Sequence, residues 1–306
     1  MQLDNRQCAR NFWFNSENRV KSVMRLFNRL SAAKADHTST RLNPVASIQR
    51  DASATAFTLL DAVLARRIER DGPKGIMKSA VRMYSQSFED SILSEIFHRI
   101  HPQPQTFVEI GVEDGNECNT RLLLELGWTG LWVEGDPTSA AAARQNFARE
   151  IGAGKLKVIE AFVSPENINE VLIDGNVGDN IGFLSVDVDM HTHHIWRAIK
   201  TKAEVTCIEY NAGVPPEVDW CVPLDGPEIW AGDNYFGASL KHLETLGRSK
   251  SQRLVGCDLM GVNAFFVDQD KAGDHFHERD DAAFHHEPPR FPLAAMPCGH
   301  PRAIRR

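Results

Sequence analysis

The sequence predicts an α/β fold built on one seven-stranded, mostly parallel sheet. Seven apolar runs of strand length, rich in β-branched residues, lie between residues 106 and 268. Helical patterns separate the first six runs, and this alternation is typical of parallel sheets that are buried on both faces. A link of a few residues joins the last two runs, so we expect the seventh strand to return antiparallel to the sixth.

The predicted strands are residues 106–111, 130–135, 156–163, 182–189, 205–211, 253–258 and 263–268. The predicted helices between them are residues 119–126, 139–151, 167–172, 194–201 and 237–247. Five strand–helix units followed by a hairpin is an unusual count for a dinucleotide-binding dehydrogenase. The pattern therefore favours a different branch of the doubly wound folds.

Composition narrows the class of protein. The 306 residues include 42% hydrophobic residues, and 34 Lys and Arg stand against 41 Asp and Glu, a net charge of −7. This excludes wholesale disorder and disfavours a dedicated nucleic-acid binder. No apolar run approaches the roughly 20 residues of a membrane span. Six scattered cysteines and an N-terminus without a signal-peptide pattern predict a reduced, cytoplasmic protein.

The two ends differ from the middle of the chain. Residues 1–80 are predicted to form an N-terminal helical extension, 81–270 the α/β domain, and 271–306 an irregular, exposed tail rich in His and Pro. Apolar residues recur at helical spacing over 20–30, and a second helical pattern covers 53–70. We expect the first stripe to pack on its own domain or on a second copy of the chain. In the tail, prolines and acids favour poor order over a metal site at His275, His277, His285 and His286.

The turn after the first predicted strand is the first candidate for ligand binding, because ligands of open parallel sheets bind at the carboxyl ends of the strands. It reads E-x-G-x-x-x-G, with Glu109, Gly111 and Gly115. Gly111 allows a tight turn, and Gly115 would let the backbone approach a ligand. Asn119 is a good cap for the following helix. The G-x-G-x-x-G spacing of pyrophosphate sites is absent.

The ends of the second and third strands extend this candidate site. Glu134 follows the glycine turn by about twenty residues, a position from which a carboxylate accepts hydrogen bonds from both hydroxyls of a ribose. The alternative is that Glu134 caps the strand or the next helix. At the third strand, residues 160–162 could place an adenine against apolar atoms and beside a polar group.

Several separated motifs now point to a known family. Residues 84–90, 107–137, 183–189, 208–211, 236–247 and 254–267 together resemble the FkbM-like branch of the class I methyltransferases, which use S-adenosylmethionine (SAM). The resemblance covers roughly residues 84–268. It implies the Rossmann-like class I methyltransferase fold, with a seven-stranded sheet and an antiparallel last strand. It also implies a hydroxyl-bearing small-molecule substrate.

The resemblance implies that SAM is bound by the glycine turn and by Glu134. The predicted cofactor residues are Glu109, Gly111, Val112, Gly115, Asn119, Glu134, Gly135, Glu160, Ala161 and Asp187. Enzymes of this kind often close over the cofactor with the segment before the first strand, so Tyr84 and Gln86 are expected to line the pocket. The chain departs from the family after the fourth strand, where D-x-D-G-N-D-Y is replaced by residues 187–193, DVDMHTH.

A polar cluster is predicted opposite the cofactor. Asp187 and Asp189 share one face of a strand, as do Glu209 and Asn211 on the next strand. With His191, and with His193 or His194 nearby, they could bind a divalent ion. Oxygen ligands favour Mg²⁺ or Mn²⁺, and imidazoles shift the preference toward Fe²⁺ or Zn²⁺. A metal-free acid–base site and a purely structural cluster remain the alternatives.

These observations predict a SAM-dependent methyltransferase that acts on a small molecule, with oxygen as the methylated atom. The catalytic candidates are Asp187, Asp189, His191 and His193. The metal candidates are Asp187, Asp189, His191, Glu209 and Asn211. A metal-dependent enzyme such as an oxygenase on the same fold is one alternative, and a non-catalytic scaffold is another. We also expect no nucleic-acid partner, and a homo-oligomer formed through the N-terminal helices is the expected assembly.

Overall fold

The computed structural model describes residues 44–290, with side chains at positions 55, 56 and 58–290. The chain divides into two compact units, 1–52 and 53–306, and the account below concerns the second. The apolar stripe at 20–30 and residues 291–306 lie outside the described residues. The expected packing of that stripe and the oligomer built through it therefore stay predictions.

The centre of the molecule is a seven-stranded sheet with the order β3-β2-β1-β4-β5-β7-β6. Its strands are β1 (Thr106–Ile110), β2 (Thr129–Glu134), β3 (Leu156–Glu160), β4 (Asn180–Val186), β5 (Lys202–Glu209), β6 (Gln252–Cys257) and β7 (Asn263–Asp268). Strands β1 to β5 are parallel, and β7 is antiparallel to both β5 and β6. The predicted fold is thus confirmed, including its antiparallel last strand.

The described helices are α1 (Pro44–Asp71), α2 (Glu89–Ile100), α3 (Arg121–Glu125), α4 (Pro137–Asn146), α5 (Ala148–Gly152), α6 (Ile168–Asp174), α7 (Thr192–Ala198), α8 (Leu240–Ser249), α9 (Gln269–Ala272) and α10 (Ala282–His285). Short 3-10 turns lie at Gly72–Lys74 and Asp189–His191. Every predicted helix between strands is present with shifted ends, and the one predicted over 139–151 is divided into α4 and α5. Helix α2 was not predicted, although Ile92, Leu93, Ile96 and Ile100 form an apolar stripe along it that packs in the core.

Both faces of the sheet are buried. Neighbouring residues of one strand point to opposite faces, so Phe107 belongs to one apolar cluster and Val108 to the other. Trp132 and Leu131 divide in the same way on β2. This double burial explains why the strands appear in the sequence as continuous apolar runs rather than as alternating patterns.

The segment after β7 differs from the exposed tail expected over 271–306. Phe276, Ala282, His285 and Glu287 are buried. The Glu287 carboxylate pairs with Arg67 of α1 and lies 2.6 Å from Arg290. The correction has a physical reason: the segment fixes itself through ion pairs and single apolar contacts, which leave no periodic pattern in the sequence.

Three of the four histidines of this segment, His277, His285 and His286, bond to backbone carbonyl oxygens. His277 contacts the Asp71 oxygen at 2.7 Å, His285 the Arg279 oxygen at 2.9 Å and His286 the Ala212 oxygen at 3.1 Å. Burial lowers the pKa of His285 to about 3, so its ring is neutral. Within the described part of the chain, no group of metal-binding side chains includes these histidines. Among the same residues, no helix combines the length and apolar character needed to cross a membrane.

Candidate active site

A cleft of about 1620 Å³ opens at the carboxyl ends of the parallel strands. Its lining includes the turns after β1, β2, β3, β4 and β5, together with residues 82, 86 and 87 before α2. The strand order reverses between β1 and β4, and this reversal is where open α/β sheets bind ligands. This cleft is therefore the place where the positions of the predicted site residues can be checked.

The two glycines of the turn after β1 have different roles. Gly111 has φ +81°, and a Cβ there would lie 1.8 Å from the Asp187 carbonyl oxygen. Its position therefore demands glycine and brings the turn against the end of β4. Gly115 has φ +79°, and a Cβ there would lie 2.5 Å from the Trp132 ring and 2.8 Å from the Phe147 ring. Gly115 packs on the aromatic core and is not among the cleft residues, which corrects the expected approach to a ligand.

The Glu109 carboxylate is saturated by the start of α3. Its oxygens accept hydrogen bonds from the backbone N–H of Asn119 at 2.8 Å, from the N–H of Thr120 at 2.9 Å and from the Thr120 hydroxyl at 2.5 Å. Burial raises the pKa of Glu109, and the bonds from Thr120 and Asn119 oppose that shift. Glu109 borders the cleft, but its geometry is that of a residue that positions the loop.

Asn119 does not cap the helix as expected, since α3 begins at Arg121. Its side-chain amide donates instead to the Ser185 hydroxyl on β4 at 3.0 Å and contacts the Cys207 sulfur on β5 at 3.6 Å. Asn119 thereby ties the loop after β1 to the next two strands of the sheet. It remains at the border of the cleft.

Glu134 closes the glycine turn. Its carboxylate accepts the backbone N–H groups of Val112 at 3.0 Å, Glu113 at 2.7 Å and Asp136 at 2.9 Å. The expected alternative was a cap on β2 or on the next helix, but Asp136 caps that helix and two of the three Glu134 bonds hold the turn after β1. A carboxylate has about four acceptor positions. Glu134 lines the cleft and so retains capacity for a ligand hydroxyl.

An apolar platform lies beyond the end of β2. Gly135, Ala161 and Phe162 line the cleft, and Phe162 is 64% exposed there. Glu160, which was expected beside them, is not a cleft residue and pairs with Arg144 at 3.1 Å. Glu160 is the last residue of β3 and pairs beside the strand, whereas the cleft is lined by the residues that follow the strand.

Three acidic residues converge after β4 and β5, and we call Asp187, Asp189 and Glu209 the carboxylate cluster. One oxygen of each lies within 4.8 Å of those of the others. Burial and the charge of Asp189 raise the pKa of Asp187 to about 7. Burial, followed by the charges of Asp187 and Asp189, raises the pKa of Glu209 well above its usual value. Glu209 Oε2 is buried and has no hydrogen-bond partner. The cluster thus calls for a proton or a cation.

The histidines do not join the carboxylate cluster. His191 lines the cleft, but its Nε2 lies 3.0 Å from the Pro227 carbonyl oxygen. His193 and His194 both contact the Val222 carbonyl oxygen, at 3.0 Å and 2.9 Å. Burial lowers the pKa of His193 to about 3, and this neutral ring is not a cleft residue. The physical reason is that α7 begins at Thr192 and carries the later histidines under the following loop.

Asn211 lines the cleft, but its amide holds the backbone. Its Oδ1 accepts from the Gly213 N–H at 3.1 Å, and its Nδ2 donates to the carbonyl oxygens of Asn234 at 2.9 Å and Phe236 at 3.0 Å. These three bonds fix both ends of the loop 212–239, which we call the β5–α8 loop. They leave Asn211 a positioning role rather than the expected metal ligation.

The β5–α8 loop was missed by the sequence analysis. Glu228, Ile229, Trp230, Asp233 and Phe236 line the cleft from it. The Trp230 indole donates to the Asp233 carbonyl oxygen at 2.6 Å, and its ring lies 5.7 Å from that of Phe236. A signal was available, because a long aromatic- and glycine-rich loop at this edge of a sheet is usually functional.

The segment before α2 contributes less than expected. Gln86 lines the cleft, whereas Tyr84 is not among the lining residues. The Tyr84 ring lies 5.0 Å from the Arg121 guanidinium, and its backbone N–H donates to the Asp90 carboxylate at 2.8 Å. Arg82 also lines the cleft and donates to the Gln86 carbonyl oxygen at 2.7 Å.

Comparison with known proteins yields structural neighbours alone, since no family model and no curated protein matches the chain. A putative O-methyltransferase from Klebsiella pneumoniae is 16% identical, with a TM-score of 0.42 over 72% of this chain and 97% of that one. An SAH-bound methyltransferase from Podospora anserina is 12% identical, with a TM-score of 0.38 over 76% and 99%. A putative caffeoyl-CoA O-methyltransferase from Staphylococcus aureus is 12% identical, with a TM-score of 0.38 over 58% and 81%. At these identities the similarity concerns the fold.

Proposed function

We propose that this protein is a SAM-dependent methyltransferase that transfers a methyl group to an oxygen of a small molecule. One observation carries the proposal. The tight turn at Gly111 and the carboxylate of Glu134 meet in a single cleft at the strand-order reversal of a seven-stranded sheet with an antiparallel last strand. The motif resemblance described from the sequence is consistent with this arrangement.

The residues of the cleft fit SAM in four respects. The turn at Gly111 packs tightly against the end of β4 and presents its backbone to the cleft. The exposed ring of Phe162 offers an apolar surface for an adenine. Glu134 has acceptor capacity left for a ribose hydroxyl, and the carboxylate cluster suits the positive charge of a sulfonium. When bound, SAM supplies an electrophilic methyl group.

The chain itself would supply proton transfer. Asp187, with its pKa raised to about 7, is partly deprotonated at neutral pH and can accept the proton of an attacking hydroxyl. Glu209 lies beside Asp187, and its unpartnered Oε2 can accept a hydrogen bond from the same hydroxyl. The β5–α8 loop lines the cleft together with these two carboxylates.

A divalent ion at the carboxylate cluster is a second candidate, favoured by three converging carboxylates and the unpartnered Glu209 Oε2. An all-oxygen ligand set suits Mg²⁺ or Mn²⁺. Such an ion would lower the pKa of a bound hydroxyl. The oxygenase alternative relied on histidine ligands, and His191 and His193 make other contacts, so we do not propose it.

The cofactor proposal is tested by calorimetric titration of SAH, the demethylated product of SAM, into the full chain. Glu134→Ala removes an acceptor for the ligand and for three backbone donors, at a cost of about 1–3 kcal/mol. We expect binding to the parent and about ten- to a hundredfold weaker binding to the variant. Glu170→Gln, on the exposed face of α6, is the control and should bind like the parent. Absence of binding to the parent would contradict the proposal and favour the non-catalytic scaffold.

The ion is tested separately by melting curves of chelator-treated full chain in MgCl₂ or MnCl₂. An ion bound to the native state raises the melting temperature by mass action. We expect a larger rise at pH 8 than at pH 6, because protons compete for Asp187 below its pKa of about 7. Asp189→Asn should abolish the rise, and Glu170→Gln should retain it. Equal curves with and without ions would leave the metal-free acid–base site.

A further inference from the structure

We infer that the methyl acceptor is an organic cation, a compound with an amine beside an apolar body. The inference rests on the proposed function and adds the chemical class of the substrate. It concerns the half of the cleft formed by the turns after β4 and β5 and by the β5–α8 loop, which we call the acceptor half.

The acceptor half is strongly acidic. Its described lining carries five carboxylates and neither Lys nor Arg; the carboxylates belong to Asp187, Asp189, Glu209, Glu228 and Asp233. Among all described residues that line the cleft, Arg82 is the single basic side chain besides the His191 ring. Arg82 belongs to the segment before α2, where it donates to the Gln86 carbonyl oxygen. A cleft lined by one sign of charge concentrates ligands of the opposite sign.

One carboxylate oxygen in the acceptor half lacks a hydrogen-bond donor, which indicates a ligand with N–H or O–H groups. Glu209 Oε2 is a buried atom with no hydrogen-bond partner among the described residues, although most buried polar atoms in folded proteins have one. Because Asp187 and Asp189 are negatively charged neighbours, binding a negatively charged ligand there would be costly. An ammonium group satisfies both conditions, because it brings N–H donors together with positive charge.

The β5–α8 loop also gives the acceptor half an apolar and aromatic wall. Ile229 is 80% exposed and Trp230 is 43% exposed, and both line the cleft with Phe236. The Trp230 ring is held by its indole bond to the Asp233 carbonyl oxygen and by contact with the Phe236 ring. Tryptophan faces attract organic cations more strongly than other aromatic rings do. The same wall accepts an apolar ligand body, so an amine with a hydrophobic or aromatic core fits both surfaces.

The experiment is a ligand-detected NMR screen of the full chain with a balanced set of small hydroxyl compounds. Each core is present as a primary amine, as a carboxylic acid and as an uncharged analogue. The screen is run in EDTA, with and without SAH. It is repeated with Glu228→Gln/Asp233→Asn, which removes two charges from the acceptor half. Glu170→Gln/Asp174→Asn removes two charges from the exposed face of α6 and is the control.

We expect amines to bind at least tenfold more tightly than the matched acids and uncharged analogues. The acceptor-half variant should lose most of that preference, and the control should keep it. Equal or tighter binding of acids, a preference unchanged in the acceptor-half variant, or no amine binding would each overturn the inference. The SAH titration reports on the proposed function independently, so a cleft that binds SAH without preferring amines refutes the inference alone. A cleft that prefers amines without binding SAH refutes the methyltransferase instead.

Discussion

The cleft has two halves whose carboxylates differ in hydrogen bonding. The first half is formed by the turns after β1 and β2, and the second is the acceptor half. After β1 and β2, Glu109 and Glu134 each accept three hydrogen bonds, all but one of them from backbone N–H groups. After β4 and β5, Asp187 and Glu209 face each other and the charge of Asp189, and Glu209 Oε2 has no partner. Backbone donors thus stabilise the charges of Glu109 and Glu134, whereas burial and neighbouring carboxylates raise the pKa values of Asp187 and Glu209.

This difference separates positioning from chemistry. A carboxylate that accepts several N–H bonds fixes a loop and costs little to keep ionised, because each bond stabilises its charge. A pair of half-buried carboxylates without such bonds is costly to keep ionised and gains from any bound donor or cation. Hydrogen bonds therefore distinguish the carboxylates that position the backbone from Glu209, whose Oε2 awaits a donor. Glu134 belongs to the first group and keeps one acceptor position for a ligand.

The largest expected effect tests the rigidity of the first half. Gly111→Ala would place a Cβ 1.8 Å from the Asp187 carbonyl oxygen at φ +81°, so the turn or the end of β4 must move. Gly154→Ala is the matched control, with φ +68° and no atom within 4 Å of the new Cβ. The control should lose about 1–2 kcal/mol of unfolding free energy from its backbone conformation. We expect Gly111→Ala to lose more and to abolish SAH binding, as measured by denaturation and calorimetry.

An equal loss in the two glycine variants, with SAH binding retained in both, would contradict this view of the turn. It would mean that the contact between Gly111 and the end of β4 is not what shapes the cofactor side. The comparison between the halves would then rest on the carboxylates alone.

A smaller effect tests how much the carboxylates of the acceptor half destabilise the folded protein when they are ionised. The pKa of Asp187 is raised to about 7, so the folded protein retains a proton that the unfolded chain releases near pH 4. The unfolding free energy of the parent should therefore fall as the pH rises from about 4 to 7. Asp187→Asn removes this contribution, and we expect it to melt a few degrees higher than the parent at pH 8, with the difference shrinking toward pH 5.

The control for this experiment is Glu170→Gln, whose difference from the parent should not depend on pH, since the side chain is exposed on α6. Asp258, whose pKa burial also raises to about 7, is present in parent and variant alike and cancels in the difference. A constant difference between parent and Asp187→Asn across this range would show that the cluster carries no strain.

Most of the fold could be predicted because its signals are local. Continuous apolar runs located all seven strands, and the short link at 259–262 fixed the antiparallel direction of β7. Helix α2 was missed, although its apolar stripe was visible in the sequence. The packing of residues 271–290 could not be predicted, because Glu287 is held by Arg67 from the other end of the chain.

The candidate site was predictable in position and less so in detail. Strand ends placed Gly111, Glu134 and the carboxylate cluster in one cleft, since parallel strands share an edge. The direction of each side chain depends on where a turn begins. A helix start at Thr192 took His193 out of the cleft, and the bond from Asn211 to the β5–α8 loop used up its amide. The spacing of residues in the sequence does not show where a turn begins, and so it does not show which side chains enter the cleft.

The smallest expected effect separates two neighbours at the end of β3. Glu160 was expected to touch the cofactor, but it lies outside the cleft in an exposed pair with Arg144, whose removal costs at most about 1 kcal/mol. Glu160→Gln should therefore leave SAH affinity within about twofold of the parent. Phe162→Ala, two residues later, removes the exposed ring that lines the cleft and should weaken SAH binding about tenfold with little loss of stability. Calorimetry on both variants decides the matter. A loss of affinity in Glu160→Gln that Phe162→Ala does not share would place the adenine on the polar side of the strand end.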